Sequence, residues 1–457
     1  MQAKDTSFKE SHVELFRSSL EQILDRRHPL YFLADKIDWK IFDCSFGSLF
    51  SQKKGRPALP TRLVVGLHYL KYTYNESDES AVARLLENPY WQYCCGFKHF
   101  QHELPIDPSS MTRWRKRLGA DKIEELLIMT IHTAKEEKLL TEKHVERVNV
   151  DTTVQEKAIA FPTNARLYHK ARRVLIRLAK RMHIDLRQSY ERTGKKVFLK
   201  QVRYASAGQY NRAKKETKKL KTILGRVIHD IERKCSAPGG RLLRVLNIAK
   251  AIFTQKRADK NKVYSVHAPE VECIAKGKVH KKYAFGCKVS MVSSSKDNWI
   301  LAIDALHGNP FDGHTLKDAL HQVKQNTDWQ PLHAYCDRGY RGVARDIPDT
   351  EVHLSGKKKK STKASFGKWF ARRSAIEPIF GHLKSDHRLD RNHLQGEDGD
   401  RMNVILSGCG FNLRKLRRAF FLPFSQWLFW RYFDHSTGFI GSIMTEDPLN
   451  TIPVHAI

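Results

Sequence analysis

The sequence predicts an α/β protein in which a mixed-sheet core carries a large basic helical insertion and follows an α-helical N-terminal domain. Three observations support this. Apolar residues recur at helical spacing before about residue 140, strand-like segments lie on both sides of residues 164–262, and that intervening segment is rich in Lys and Arg. We therefore expect a helical region at 1–140, a core at 141–430 that contains the insertion, and a tail at 431–457.

The composition is that of a large, strongly basic globular protein. Its 457 residues suffice for two or three domains, and 41% of them are hydrophobic. The formal net charge of +32 favours nucleic acid or an anionic membrane as partner. We expect no membrane association, because no uncharged apolar run reaches 18 residues and the first residues lack the apolar core of a signal peptide. Eight cysteines without a C-x-x-C pair indicate buried thiols in a reducing compartment, and hence a cytoplasmic protein.

The region before residue 140 is predicted to be helical. Apolar residues lie at helical spacing from Leu63 to Leu70 and from Val82 to Leu86, and Asn88-Pro89 is typical of a helix stop. Residues 105–117 combine serine caps with a short basic helix. That helix fits either the reading helix of a helix-turn-helix unit or a solvated basic face that packs through Trp114.

The segment at 164–262 holds most of the positive charge. It contains 29 Lys and Arg against 6 Asp and Glu, a surplus of 23. Its apolar residues share one helical face between Leu220 and Ile231. Long helices with one apolar stripe and basic flanks form a surface that fits DNA. The alternative is a solvated helical hairpin whose charge only aids solubility.

The core is predicted from segments that alternate or run apolar between turn residues. They are a strand at 145–154, a hairpin at 278–294 and 299–307, a helix after 312–315, strands at 332–336 and 351–354, a basic loop at 357–360, and a final helix. With the insertion set aside, this order matches a ribonuclease-H-like core.

Three acids in this core are candidates for one metal site. Asp151 ends or interrupts an apolar strand, Asp337 follows another strand directly, and Glu377 lies on the final helix. Three carboxylates from separate elements can hold two Mg²⁺ or Mn²⁺ ions, which suits phosphodiester cleavage. Each acid also has an ordinary interpretation, a turn residue for either aspartate and an i−4 ion pair for the glutamate. Asp304 is a rival strand acid, and Asp312 lies near it in the sequence.

The most informative stretch is residues 370–384, which reads FARRSAIEPIFGHLK. As one continuous helix it places Phe370, Arg373, Glu377 and Lys384 on the same face, with a cation on either side of the carboxylate. This F-(2)-R-(3)-E-(6)-K pattern closely resembles the Y-(2)-R-(3)-E-(6)-K motif of bacterial insertion-sequence transposases. Phe370 stands where that motif usually has Tyr, so the ring can still pack but a phenolic hydroxyl is absent.

Further segments resemble the insertion-sequence five family of DDE transposases, over roughly residues 20–420. They are found at 88–90, 107–110, 147–155, 268–278, 283–288, 308–314, 337–342 and 381–400. The resemblance implies that Asp151, Asp337 and Glu377 form a catalytic, metal-binding triad with two Mg²⁺ or Mn²⁺ ions. It also implies that Arg373 and Lys384 contact the phosphates of the transposon end.

As a function, the resemblance implies a DNA transposase of a bacterial insertion sequence. Such an enzyme binds terminal inverted repeats, cuts the 3′ ends and transfers them to target DNA, as a homodimer in a synaptic complex at the nucleoid. Two alternatives use the same sequence features. One is a structure-specific nuclease without strand transfer, and the other is a DNA-binding regulator that has no metal-dependent chemistry.

Overall fold

The computed structural model describes residues 18–50, 58–276, 282–342, 347–355 and 364–433, without the side chains of 364–366 and 422–433. The predicted basic loop at 357–360 and most of the predicted tail at 431–457 lie outside these residues. The chain forms two compact units. One takes in the described residues of 1–67, 79–107 and 413–457, and the other comprises 68–78 and 108–412.

Among the described residues, helices alone precede the first strand. They are α1 (Leu20–Ile23), α2 (Pro29–Lys36), α3 (Trp39–Gly47), α4 (Thr61–Thr73), α5 (Asp78–Glu87), α6 (Pro89–Cys94), α7 (Pro108–Glu136) and α8 (Glu142–Val145). Both apolar patterns predicted to be helical are confirmed, as α4 and α5. The predicted stop at Asn88-Pro89 is also confirmed, and it starts α6 as well: the Asn88 side chain accepts hydrogen bonds from the Tyr90 and Trp91 N–H groups at 2.9 and 3.1 Å.

The basic segment at 105–117 forms the first part of α7, which is kinked at Gly119 with φ +74°. Trp114 is buried and lies 5.4 Å from the His68 ring. Arg115 is buried too, and its guanidinium binds the Asp78 carboxylate at 2.5 Å. The packing through Trp114 that one of the two interpretations requires is therefore present. Because α7 groups with the second unit, the predicted division at residue 140 does not coincide with the border between the compact units.

The insertion is a helical subdomain with its own hydrophobic core. It contains α9 (Asn164–Arg181), α10 (Glu191–Ser206), α11 (Tyr210–Lys234) and α12 (Gly240–Thr254). The predicted stripe from Leu220 to Ile231 is confirmed, because its apolar residues are buried against α9 and α12. These helices bury apolar surface against one another, so the subdomain supplies much of its own stability.

The sheet is mixed, and its elements follow the predicted order. They are β1 (Arg147–Lys157), β2 (Glu272–Ala275), β3 (Tyr283–Ser294), β4 (Ile300–Leu306), α13 (Asp312–Thr327), β5 (His333–Cys336), a 3₁₀ turn (Arg338–Tyr340), β6 (Glu351–Leu354), α14 (Ala364–Arg373), α15 (Ile376–Asp386), β7 (Arg391–Asn392) and α16 (Gly396–Phe433). The hairpin of β3 and β4, helix α13 and strands β5 and β6 are confirmed. Local patterns did not predict β2 and β7, which have only four and two residues, although β2 lies in the segment at 268–278 that resembles the family's β-strand region.

Strand β1 lies at the centre of the sheet. It pairs antiparallel with β3, which pairs antiparallel with β4, and it pairs parallel with β5, which pairs parallel with β6. Strand β2 extends the sheet beyond β3, and β7 pairs with the end of β1. Of the two alternatives predicted for Asp151, the structure has the second: the residue interrupts its strand, and β1 continues for six residues to Lys157.

The predicted continuous helix over residues 370–384 is also wrong. Helix α14 ends at Arg373 and α15 begins at Ile376. Pro378 explains the break, because its nitrogen cannot donate to the carbonyl of Ser374 and its ring would clash with that carbonyl in a continuous helix.

No helix among the described residues combines the length and apolar character needed to cross a membrane.

Gly286 allows β3 to lie close to β1, and replacing it should test this packing. A Cβ atom there would lie 1.8 Å from the carbonyl oxygen of Gln155. We expect Gly286→Ala to lower the free energy of unfolding by at least about 2 kcal/mol, measured by urea denaturation. Gly367→Ala is the matched control, because its Cβ would meet no atom of the described residues within 4 Å. An equal effect of both changes would contradict the close approach of β3 to β1.

Candidate active site

The register of two parallel strands brings two of the predicted acids together. In the β1–β5 ladder, Arg147 pairs with His333 and Asn149 pairs with Tyr335. The ladder ends there, two residues before Asp151 on β1 and two residues before Asp337 after β5. The two strands thus lead toward the same place, and the charge of Asp337 helps to raise the pKa of Asp151, although burial has the larger effect. The two carboxylates therefore lie near each other.

One edge of β1 is open at this position. Strand β5 pairs with residues 147–149 of β1 and β7 pairs with residues 156 and 157, on the edge opposite β3. Among the described residues, no strand pairs with residues 150–155 on that edge. Asp151 and Thr153 thus lie in a gap between β5 and β7, where a substrate can approach the strand.

The surroundings of Asp151 disfavour its ionised form. Its side chain is 18% exposed, and burial raises its pKa to about 6. The Thr152 N–H donates to it at 2.8 Å and the Arg373 guanidinium at 3.3 Å, and both contacts favour the ionised form. The charges of Asp337 and Asp312 act in the opposite direction. A carboxylate that is buried beside like charges favours a bound cation.

Asp337 and Asp312 converge on Gly339. The Gly339 N–H donates to Asp337 Oδ1 at 2.7 Å, so this carboxylate caps the 3₁₀ turn. A Cβ atom on Gly339 would lie 2.9 Å from Asp337 Oδ1 and 3.0 Å from Asp312 Oδ2. The charges of both acids and of Asp151 raise the pKa of the buried Tyr340 hydroxyl, whose largest shift comes from burial itself. Three acids therefore surround Tyr340.

Asp312 is the site residue that sequence reasoning did not single out. Its carboxylate accepts from Lys288 Nζ and from the Thr152 hydroxyl, each at 3.0 Å. The available signal was its position at the start of α13, directly after a loop, in a segment already noted at 308–314. Asp304, the predicted rival, lies elsewhere and binds the Arg401 guanidinium at 3.0 Å.

The two predicted DNA-contacting cations both reach β1. Arg373, at the end of α14, binds Asp151, and Lys384, in the last turn of α15, donates to the Thr153 hydroxyl at 2.9 Å. Phe370 packs edge-on against Tyr335 of β5, with ring centroids 5.5 Å apart. The motif therefore lies along the gap in β1, although a helix break divides it.

Glu377 is exposed in the first turn of α15, between these two anchored cations. Its N–H donates to the Ser374 carbonyl at 3.2 Å. Among the described residues, Asp151, Asp337 and Glu377 do not form a group whose ligand atoms all lie within 4.8 Å of one another. The structure thus brings the two aspartates together and leaves the glutamate on the adjoining helix.

His382, in the same helix, has an acid as its partner. Its Nδ1 lies 3.0 Å from Asp386 Oδ2, one turn further along α15. This pair is exposed.

Two family models match the chain. The Transposase domain (DUF772) matches residues 18–117, and the Transposase DDE domain matches residues 257–413. The second match contains Asp312, Asp337 and Glu377, while Asp151 precedes it. The chain is also 52% identical over 197 residues to the protein named "Uncharacterized protein ORF8 in nfe locus" of Rhizobium meliloti, covering 43% of this chain and 95% of that protein. No solved structure matches.

The raised pKa of Asp151 predicts a stability change for Asp151→Asn. Near pH 8 the wild-type carboxylate is ionised although its folded-state pKa of about 6 exceeds the ordinary value of 3.8, which destabilises the fold by roughly 2–3 kcal/mol. With a chelator present, the neutral amide should therefore raise the free energy of unfolding at pH 8. The gain is reduced by the loss of the ion pair between Arg373 and the Asp151 carboxylate. The gain should vanish below pH 4, where Asp151 is protonated in both states.

Thermal unfolding of both proteins from pH 4 to 8 measures this difference. Asp328→Asn is the control, because it makes the same chemical change on a side chain that is 83% exposed. A stability difference that does not depend on pH would contradict the buried, charge-stressed state of Asp151.

Proposed function

Since this chain belongs to the transposases that carry a DDE domain, we propose that it cuts DNA at the ends of a bacterial insertion sequence and joins those ends to target DNA. One observation carries the proposal. Asp337 directly follows β5 and lies near enough to Asp151 for its charge to act on that carboxyl, and Arg373 and Lys384 reach the same open edge of β1. Acids that require a cation, next to cations that suit phosphate, fit the chemistry of a phosphodiester.

The proposed fold of the catalytic core is ribonuclease-H-like, and the proposed family is insertion-sequence five. Three antiparallel strands in the order β4, β3, β1 continue into the parallel strands β5 and β6. Helices α14 and α15 follow and carry the motif that resembles the family's. These features support both assignments.

Asp151, Asp337 and Glu377 are the proposed ligands of two Mg²⁺ or Mn²⁺ ions. The donor set fits, because carboxylate oxygens suit hard divalent cations and Asp151 is ionised against the effect of burial. Among the described residues, the buried Tyr340 hydroxyl near these acids also has no hydrogen-bond partner. When bound, such ions stabilise the charge that develops on the attacking and leaving oxygens. Glu377 would join the aspartates when substrate is bound, through a shift of α15.

The two cations have distinct roles in this proposal. Arg373 partly neutralises Asp151 in the free protein, and its planar guanidinium also suits a phosphate. Lys384 lies in the gap in β1, where its partner in this contact is a neutral hydroxyl. Cleavage frees a 3′-hydroxyl at each end, and that oxygen then attacks a target phosphodiester in line and displaces the opposite oxygen.

The helical insertion is the proposed main contact with the DNA backbone, together with helices of residues 1–140. A cavity of about 620 Å³ between α9 and α10 supports this role. Its lining includes five cationic side chains, Arg172, Arg173, Arg177, Lys180 and Lys195, and a single acid, Glu191. Such an excess of positive charge attracts phosphate.

Joining two ends requires two active sites in one complex, so we propose a homodimer on DNA. The proposed place of action is the nucleoid in the bacterial cytoplasm.

Substituting the proposed triad tests the chemistry. Asp151→Asn, Asp337→Asn and Glu377→Gln should each reduce end cleavage and strand transfer by more than about 1000-fold, because each removes a charge from the metal site. Binding to terminal inverted repeats should change little. The readouts are gel assays of cleavage and of joining between pre-nicked ends and a plasmid.

Asp304→Asn is the matched control, since Asp304 binds Arg401 away from the gap. Cleavage that survives any one of the three changes would remove that residue from the site. Cleavage without joining of pre-nicked ends would favour a structure-specific nuclease, and binding without either reaction would favour a regulator.

Lys384→Gln tests the phosphate contact. Removing one ionic contact with a DNA phosphate should lower the slope of log affinity against log salt by about 0.9 and weaken end binding at low salt. Fluorescence anisotropy across a salt series measures both quantities. Lys324→Gln, a change on helix α13, is the control, and a slope equal to that of the wild type for Lys384→Gln would exclude the contact.

A further inference from the structure

Two histidines and a glutamate meet on the edge strand β6 and its neighbour β5. His333 opens β5, and Glu351 and His353 lie on β6. In the parallel ladder His333 pairs with Glu351, and Tyr335 pairs with His353. All three side chains therefore project from the same face.

Their ligand atoms are close to one another in every combination. His333 Nδ1 lies 3.2 Å from His353 Nε2 and 3.3 Å from Glu351 Oε2, and the latter two atoms are 3.7 Å apart. Ligands placed about 2.0–2.2 Å from a tetrahedral zinc ion are separated from one another by roughly 3.3–3.5 Å. The triangle of atoms thus has the size of one face of such a tetrahedron.

We propose that His333, Glu351 and His353 bind a divalent transition-metal ion, with Zn²⁺ as the best fit. Two imidazole nitrogens and one carboxylate oxygen suit zinc, whereas Mg²⁺ prefers oxygen alone. The Glu351 side chain is 64% exposed, so the fourth position faces solvent and suits a water molecule.

The surroundings prepare the ligands. The His353 side chain is buried, with its Nε2 directed at His333 and Glu351. Tyr335 stacks on this ring with centroids 4.9 Å apart, which restricts its orientation. Burial lowers the pKa of His353, as does the Arg147 charge, while the Glu351 charge raises it. Ion binding would leave that glutamate charge compensated.

This site is separate from the proposed catalytic acids. His333 and Asp337 are four residues apart on one extended segment, a separation of about 13 Å. An ion here would join the edge strand β6 to β5, the strand that ends at Asp337. It would therefore stabilise the platform of the acids without touching the substrate.

A second group of possible ligands fits a metal less well. Cys287, His307 and Asp400 also lie within 4.8 Å of one another. However, the Lys157 ammonium already lies 2.8 Å from Asp400 and 2.9 Å from Glu270. A cation thus already compensates these acids, and a metal ion would be repelled by it.

Zinc binding by the full-length protein tests the proposal. In an Asp151→Asn background, which removes a ligand of the proposed catalytic site, the protein is titrated with Zn²⁺ against a chromophoric chelator in excess Mg²⁺. We expect one equivalent to bind and to raise the unfolding temperature. Glu351→Gln and His333→Ala should each weaken zinc binding by more than about 100-fold. Mutation of residues that only hydrogen-bond to metal ligands already lowers metal affinity by about 10–100-fold, and loss of a ligand should have a larger effect.

His382→Ala, which changes an exposed histidine, should bind zinc as the background does. Glu351→Gln alters an exposed side chain, so a loss of folding would not obscure its result. Three results would overturn the proposal: no zinc bound in the background, unchanged affinity in both ligand variants, or loss of binding only on Cys287→Ser. Circular dichroism of each variant without zinc verifies that the fold is intact.

Discussion

The structure depends on the burial of like charges at the junction of β1 and β5. Asp151 on β1 and Asp337 just after β5 lie near each other, and Asp312 approaches from the start of α13. Carboxylates in such a setting are unfavourable unless cations or donors compensate them. The Arg373 guanidinium, the Lys288 ammonium and the backbone N–H groups at residues 152 and 339 provide that compensation. The fold thus holds a concentration of negative charge ready for a ligand.

The interruption between α14 and α15 serves this arrangement. A straight helix from residue 364 to 386 would keep Arg373 and Lys384 about 16 Å apart along its axis. In the structure both side chains reach β1 only two residues apart, at Asp151 and Thr153. Pro378 therefore converts a linear motif into a bent one. The bend also leaves Glu377 exposed in a first helical turn, at the end of α15 opposite to the end that Lys384 ties to β1.

Much of this fold follows from local patterns in the sequence. The hairpin of β3 and β4, helix α13 and the helical insertion all have apolar periodicity strong enough to predict. The short strands β2 and β7 do not, because their pairing is decided by β3 and β1 rather than by their own residues. The prediction of a continuous helix fails because it considers only the spacing of the side chains. Pro378 has no backbone N–H to donate, and its ring would clash with the carbonyl of Ser374 in a continuous helix. The sequence left open whether Asp151 ends or interrupts its strand, because a charge inside a strand is unfavourable unless partners compensate it, and those partners are distant in the sequence.

The individual acids of the candidate site can be predicted from local sequence, but their spatial arrangement cannot. Asp337 and Asp151 stand out by their positions next to apolar runs, but their adjacency depends on a ladder register that no local pattern contains. Asp312 joins them only through the tertiary path of α13. Glu377 is identified through its neighbours in the motif, and its exposure shows that the free protein does not gather all three acids.

The self-contained core of the helical insertion has a consequence for how such proteins diversify. The insertion begins after β1 and ends before β2, so its helices can change with little effect on the pairing of the sheet strands. If the insertion holds the DNA backbone as proposed, mutations that alter its basic surface, or exchange of the whole segment between related elements, would change the strength and geometry of that contact. The acids on the sheet would stay the same, so this part of the protein can diverge without rebuilding the candidate active site.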